Sequence, residues 1–232
     1  MLKIKNLNLF FLFSIILVLI QISYQFYHFD FHNLDLDFND LKYSGSRLFL
    51  ENENVYQIYL NDAYDKKIKY SQYPNYSIAS IYFHLPLGFF SFDFSKIIWR
   101  VLSVVLLIHI YLILSNFELK IKNKDLVIFG SMIFLLFSKP FHVLINTGNF
   151  SIVCFWAYIF YFFGKKNNIF VSLLITSIKY SFAPILFFYA IYKKNFFKIF
   201  LVCFVTILFL THFSYKFDFN IIKLILAPIQ IA

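Results

Sequence analysis

The chain has 232 residues, of which 60% are hydrophobic and 14% are charged, and its formal net charge is +9 at pH 7. A soluble domain of this length carries charges on roughly a quarter of its residues. The composition therefore excludes an ordinary soluble domain and predicts an all-α integral membrane protein in contact with membrane lipid. The positive charge is typical of cytoplasmic loops in membrane proteins, so we expect no nucleic-acid partner.

The first apolar segment covers residues 7–25 and follows Lys3 and Lys5. It is longer than most signal-peptide cores, and no small-residue cleavage site comes after it. We therefore predict an uncleaved signal anchor with the N-terminus in the cytoplasm.

Residues 26–94 follow as a large first outer loop with short helices. In "SGSRLFLENENVYQIYL" (44–60), apolar residues stand among charges, which favours a helix at the membrane interface. The stretch "YPNYSIASIYFHLPLGFF" (73–90) is apolar but interrupted. We expect it to dip into the membrane without crossing.

Residues 95–232 are predicted to form a helical bundle, so that the whole chain is a single transmembrane domain. The further apolar runs cover 95–116, 125–140, 149–164, 169–191, 196–213 and, in part, 219–232. The run at 169–191 is long enough for one crossing, but the lysine-rich "YKKNFFK" after it belongs on the cytoplasmic side. We therefore predict a re-entrant helical hairpin, broken near "SIKYSFAP" (177–184), with Lys179 directed to the outer face.

This multi-pass topology places all but two of the 12 acidic residues outside. Three polar features then share the outer face: the aspartates Asp35, Asp37 and Asp40, the loop "NTGN" (146–149), and Lys179. An ionisable residue at membrane depth is costly and is by default a functional hypothesis. A carboxylate can act as a general base, while a lysine and a helix N-terminus can hold a phosphate. The pattern predicts a site for a lipid-linked phosphate and a hydroxyl acceptor.

Five segments carry a resemblance to a known family. They are "DFNDLKYSGSRLFLENENVY" (37–56), "YPNY" (73–76), "IIWRVLSVVLL" (97–107), "NTGNFSIV" (146–153) and "SIKYSFAP" (177–184). In this order, and over nearly the whole chain, they resemble the membrane-embedded glycosyltransferases of the GT-C class, closest to family 87. The resemblance implies a hexosyltransferase of the cell membrane that moves a sugar, often mannose, from a polyprenyl-phosphate carrier to an acceptor hydroxyl on the outer side. The lipid-linked donor is a substrate, and the resemblance implies no cofactor and no metal.

The resemblance also assigns residues. The family's base aspartate matches Asp37, with Asp40 as the second choice. Lys179 would face the carrier phosphate and stabilise its charge as it leaves. The substrate-binding residues that the resemblance implies are Lys179, Asn149, Gly148 and Tyr73.

Two departures from the family accompany these matches. Asn75 stands where a second proline is usual in the Tyr-Pro element. Family members also usually continue with several more helices beyond the length of this chain. We therefore expect the chain to correspond to the N-terminal part of the family fold.

Simpler readings of the same residues stay open. The aspartates also suit a solvated outer loop, Lys179 could extend to the membrane surface, and Asn149 could serve only as a helix cap. The spacing of His28 and His32 fits a metal on a helix. Cys154 and Cys203 lie in apolar runs and read as small buried hydrophobic residues. The alternative function is a non-enzymatic polytopic membrane protein, such as a polysaccharide transporter or an assembly component.

Overall fold

The computed structural model describes residues 38–60, 76–116, 147–164, 169–179 and 181–230, together with positions 16, 19, 20, 23, 127, 128, 130, 131, 133, 134 and 138. Throughout this part of the chain the regular structure is helical, and no strand occurs in it. The predicted signal anchor at 7–25 and the predicted span at 125–140 contain only isolated described positions. Both therefore stay predictions.

The helices follow the apolar runs of the sequence. A π-helical turn, Asn39–Tyr43, precedes the first α-helix. The helices are α1 Ser44–Leu50, α2 Val55–Leu60, α3 Ala79–Gly88, α4 Phe92–Asn116, α5 Ser151–Phe163, α6 Ile169–Ile178, α7 Ala183–Tyr192, α8 Phe196–Phe217 and α9 Ile221–Gln230.

Two of these helices, α4 and α8, are long and apolar enough to cross a membrane, with 25 and 22 residues. A crossing needs about 20 residues at 1.5 Å of rise per residue. They occupy the predicted runs at 95–116 and 196–213. On α8, large apolar side chains are exposed at Phe196, Phe197, Phe200, Phe204, Ile207 and Leu208. Exposed apolar residues along a helix of this length suit contact with lipid.

Helices α6 and α7 are too short to cross, with ten residues each. Each is therefore about 15 Å long, against a hydrocarbon core of about 30 Å. They pack in one cluster, in which Ile169 and Leu173 of α6 meet Leu186 and Ala190 of α7. The break between them falls inside the predicted segment 177–184. Pro184 stands at the start of α7, where a missing backbone N–H costs nothing.

The first-loop segment 44–60 forms two helices instead of the single interfacial helix that we expected. The chain reverses at Asn52, which has a left-handed backbone with φ of 62°. Asn54 then starts α2, because its Oδ1 accepts hydrogen bonds from the N–H groups of Tyr56 and Gln57 at 3.1 and 3.2 Å. The apolar residues Leu48 and Phe49 are buried against Phe213 of α8 rather than against a membrane surface. Tertiary packing explains this difference.

The two cysteines have different environments. Cys154 of α5 is buried, as predicted, whereas Cys203 of α8 is exposed. The prediction for Cys203 was wrong because α8 is covered by protein along only one narrow side, so an apolar run on this helix does not imply burial.

Candidate functional site

The candidate site lies where α4 and α5 begin and α6 ends. We call this place the junction, and it consists of Phe38, Trp99, Gly148, Asn149, Phe150 and Lys179. Buried aromatic side chains surround it, and the largest hydrophobic cluster contains Phe38, Tyr76, Trp99 and Phe150.

Lys179 contacts the start of α5 directly. Its Nζ donates a hydrogen bond to Asn149 Oδ1 at 2.9 Å and another to Ser151 Oγ at 2.7 Å. Asn149 Oδ1 also accepts from the Ser151 N–H at 2.9 Å, so the same amide supports the first residue of the helix. Asn149 therefore combines the helix-start role with a contact to the lysine. Lys179 is directed at α5 within the protein, which differs from a side chain that extends to the membrane surface.

This arrangement is suited to an anion. The first backbone N–H groups of a helix carry a partial positive charge. In α5 the Ser151 N–H donates to Asn149 Oδ1, and the Val153 and Cys154 N–H groups donate to Phe150 O. A lysine ammonium beside them adds a full charge, and such places bind phosphate or carboxylate groups. The chemistry of the junction is therefore that of a site for a single acidic group.

Gly148 connects the junction to the aspartate segment. Its φ is +67°, and a Cβ at this position would lie 2.6 Å from Phe38 Cβ, closer than any real contact. The Phe38 N–H donates to Thr147 O at 2.9 Å, so the two backbones meet at this glycine. Gly148 is therefore required by the approach of the segment that begins at Asp37.

The aspartates themselves are only partly placed. Asp35 and Asp37 lie outside the described residues, and Asp37 immediately precedes Phe38. The backbone of Asp40 belongs to the π-helical turn Asn39–Tyr43. The base assignment to Asp37, with Asp40 as the second choice, stays a prediction.

Tyr76, rather than the predicted Tyr73, is the described tyrosine of the junction. Its ring centroid lies 5.6 Å from Lys179 Nζ and 5.2 Å from Lys42 Nζ, within reach of a cation–π interaction. Tyr73 lies outside the described residues. Tyr76 closes the same "YPNY" motif, and the substrate-binding assignment to Tyr73 stays a prediction.

Buried basic residues beside the junction were missed by the sequence analysis. Lys42 is 1% exposed, and Lys96 and Arg100, one turn apart on α4, are 3% and 7% exposed. The four-residue spacing of Lys96 and Arg100 on an apolar helix is the only sequence signal that could have indicated these two residues. Together with Lys179 they make the described part of this end of the bundle rich in positive charge.

His84 of α3 is a further missed residue, and it is 1% exposed. Its Nδ1–H donates to Ser80 O at 2.7 Å, which leaves Nε2 as an acceptor without a hydrogen-bond partner among the described residues. Burial, and next the charge of Lys42, lowers the pKa of His84 to about 3. His84 is therefore neutral at pH 7 and is a poor general base.

In the described ranges no three His, Cys, Asp or Glu side chains come together, so these ranges contain no set of metal ligands. The pair His28 and His32 lies outside those ranges, so that alternative stays as it was predicted.

No protein-family model, no curated protein and no solved structure matches the chain. The family resemblance therefore stays a prediction that depends on the quoted motifs and on their order.

Proposed function

We propose that the protein is a GT-C-type glycosyltransferase that moves a sugar from a polyprenyl-phosphate carrier to an acceptor hydroxyl on the outer side of the membrane. One observation carries the proposal. The segment that follows Asp37, the pair Gly148 and Asn149, and Lys179 come from three distant parts of the sequence and meet at the junction. These are the segments that the family resemblance makes functional.

The proposed topology places the junction outside. Helix α8 ends beside the first-loop helices, because the Lys216 ammonium donates to Phe49 O at 2.7 Å. The start of α4 lies on that same side, since Tyr43 OH donates to Phe90 O at 3.0 Å just before it. In the sequence, lysine-rich segments follow the opposite ends of α4, α5 and α7, and the positive-inside rule assigns those ends to the cytoplasm. Helices α6 and α7 then form the re-entrant hairpin.

In the proposed reaction, the Asp37 carboxylate takes the proton of the acceptor hydroxyl. The hydroxyl oxygen attacks the anomeric carbon of the sugar, and the bond between this carbon and the phosphate oxygen breaks. The carrier phosphate leaves with the bonding electron pair, and the Lys179 ammonium and the N-terminus of α5 stabilise its charge. These groups act most strongly where water is excluded, and the aromatic side chains of the junction exclude water.

Carrier binding tests the role of Lys179. In lipid nanodiscs, Lys179→Met should weaken the binding of polyprenyl phosphate about tenfold or more, because a charge-assisted contact is lost. Lys179→Arg should keep part of the binding, since the charge survives in a different geometry. Lys223→Met, which removes an exposed lysine on α9, is the matched control and should bind as the wild type does. Equal binding by all these proteins would contradict the proposal.

Sugar transfer and topology are tested separately. Purified protein with polyprenyl-phosphate [14C]mannose and an envelope extract should yield labelled product. Labelled glycan that crosses a vesicle membrane without any covalent transfer would instead favour the transporter alternative.

In a cysteine-free background, Asp62→Cys should react with an impermeant thiol reagent from outside, while Lys122→Cys and Asn195→Cys should be protected. Reaction of the cysteine at position 195 would contradict the hairpin.

A further inference from the structure

One side chain, that of Trp99 on α4, contacts both segments that meet at the junction. Its indole Nε1–H donates to Gly148 O at 3.0 Å. Its ring lies 6.0 Å from that of Phe38 and 6.1 Å from that of Phe150, nearly parallel to both. Trp99 is 3% exposed. A buried indole N–H needs an acceptor, so this hydrogen bond fixes the Gly148 carbonyl relative to α4.

The two residues that Trp99 contacts stand next to the proposed base and next to the hydrogen-bond partner of Lys179 in the sequence. Phe38 directly follows Asp37, and its backbone N–H donates to Thr147 O at 2.9 Å. Gly148 directly precedes Asn149, which accepts the hydrogen bond from Lys179. Trp99 therefore holds the neighbour of the proposed base on one side and the neighbour of the lysine's partner on the other.

We infer that Trp99 is a positioning residue that holds Phe38, the residue directly after the proposed base in the sequence, against the turn at Gly148 beside Lys179. This inference rests on the proposed function. Without the indole N–H, the turn at Gly148 and the segment at Phe38 lose a shared anchor, so the Phe38 backbone shifts relative to Gly148 and Lys179. A misplacement of about 1 Å can lower a rate about 10²-fold. The hydrogen bonds from Lys179 to Asn149 and Ser151 do not involve Trp99, so carrier binding should persist.

The chain offers a matched control, because it has two tryptophans and both donate an indole hydrogen bond. Trp156 of α5 donates to His109 Nδ1 at 2.9 Å, and its ring stacks on that of Phe160 at 5.2 Å. Trp156→Phe also removes an indole hydrogen bond, but one that joins α5 to His109 of α4, away from the turn at Gly148. The pair of variants separates the position of the tryptophan from the general cost of losing an indole.

The experiment measures kcat and KM for polyprenyl-phosphate [14C]mannose, and the Kd for polyprenyl phosphate, with full-length protein in nanodiscs. Trp99→Phe should lower kcat about 10- to 100-fold while KM and Kd stay within about twofold. Trp156→Phe should leave all three within about twofold. A kcat for Trp99→Phe equal to that of Trp156→Phe would overturn the inference, and so would a raised Kd with an unchanged kcat.

A second variant covers the case in which Trp99→Phe does not fold. Phe38→Leu keeps the backbone N–H to Thr147 O and removes the ring, which packs on Trp99 and also on Tyr43 and Phe92. It should lower kcat in the same direction, and an unchanged kcat would again overturn the inference. Transfer by the wild type and by Trp156→Phe is the internal reference. If neither transfers sugar, the proposed function itself fails and the positioning role fails with it.

Discussion

The junction and the surface of α8 use the same aromatic residues in opposite ways. At the junction, Phe150 and Trp99 are buried and enclose basic side chains. On α8, Phe200 and Phe204 are 62% and 47% exposed, and the residues between them are uncharged. The comparison teaches that aromatic content alone says nothing about function in this chain. The polar groups placed among the rings separate a candidate site from a lipid-facing surface.

The largest expected effect is the loss of sugar transfer in Asp37→Asn, and its absence would contradict the contrast between the junction and the surface of α8. Asp37→Asn keeps the shape of the side chain and removes the proposed proton acceptor, which directly precedes Phe38 in the sequence. Loss of a general base typically lowers a rate about 10²- to 10⁴-fold, and we expect initial rates of sugar transfer to fall by that amount. Asp35→Asn and Asp62→Asn are the controls and should have mild effects. A normal rate for Asp37→Asn with a slow Asp40→Asn would move the assignment by three residues, and normal rates for both would remove the base from this segment.

A second prediction compares two glycines. Gly148→Ala places a Cβ against Phe38 in a left-handed backbone, whereas a Cβ at Gly130 would meet nothing within 4 Å. The left-handed conformation alone costs about 1–3 kcal/mol, and the clash adds to it. We expect Gly148→Ala to lower the thermal unfolding midpoint in detergent, while Gly130→Ala, in a helical position, should be neutral or slightly stabilising. Equal midpoints for the two variants would show that the backbones do not meet closely at Gly148.

The smallest predicted effect concerns pH and His84. Burial lowers the pKa of His84 to about 3, below its ordinary value of 6.5. Between these values the unfolded chain binds a proton that the folded chain excludes, so stability falls as the pH decreases from 6.5 towards 3. The slope from one such group is up to about 1.4 kcal/mol per pH unit. Above pH 6.5 the group contributes no slope.

His84→Asn removes this titration and keeps a donor for the Ser80 carbonyl. Thermal midpoints measured from pH 7 to pH 5 should therefore decrease less steeply in His84→Asn than in the wild type. An unchanged slope in His84→Asn would mean that the imidazole is already accessible to protons in the folded protein.

The sequence predicted the parts of the fold that depend on local composition. The long apolar runs located α4 and α8, and Pro184 with the polar residues around Lys179 located the break between α6 and α7. It also predicted Lys179 and Asn149 on the same face, through the hairpin broken near 177–184 and the outer loop at 146–149, and the two side chains are in contact.

The parts that depend on distant packing could not be predicted. The segment 44–60 has the pattern of an interfacial helix, and its burial depends on Phe213 and Lys216 of α8. Trp99 and Tyr76 gave no signal of their own, because the chain contains 35 Phe and 17 Tyr and an aromatic residue is common in every segment. Their roles became visible only through the groups that they contact, Gly148 O for Trp99 and Lys179 Nζ for Tyr76.

The most direct test of the account is to locate the carrier phosphate on the protein. A polyprenyl phosphate with a photoreactive group next to the phosphate would be irradiated with the full-length protein in nanodiscs, and the crosslinked peptides would be mapped by mass spectrometry. The account predicts crosslinks around residues 147–151 and 179 that excess polyprenyl phosphate suppresses. Crosslinks confined to the exposed face of α8, and insensitive to that competitor, would contradict it.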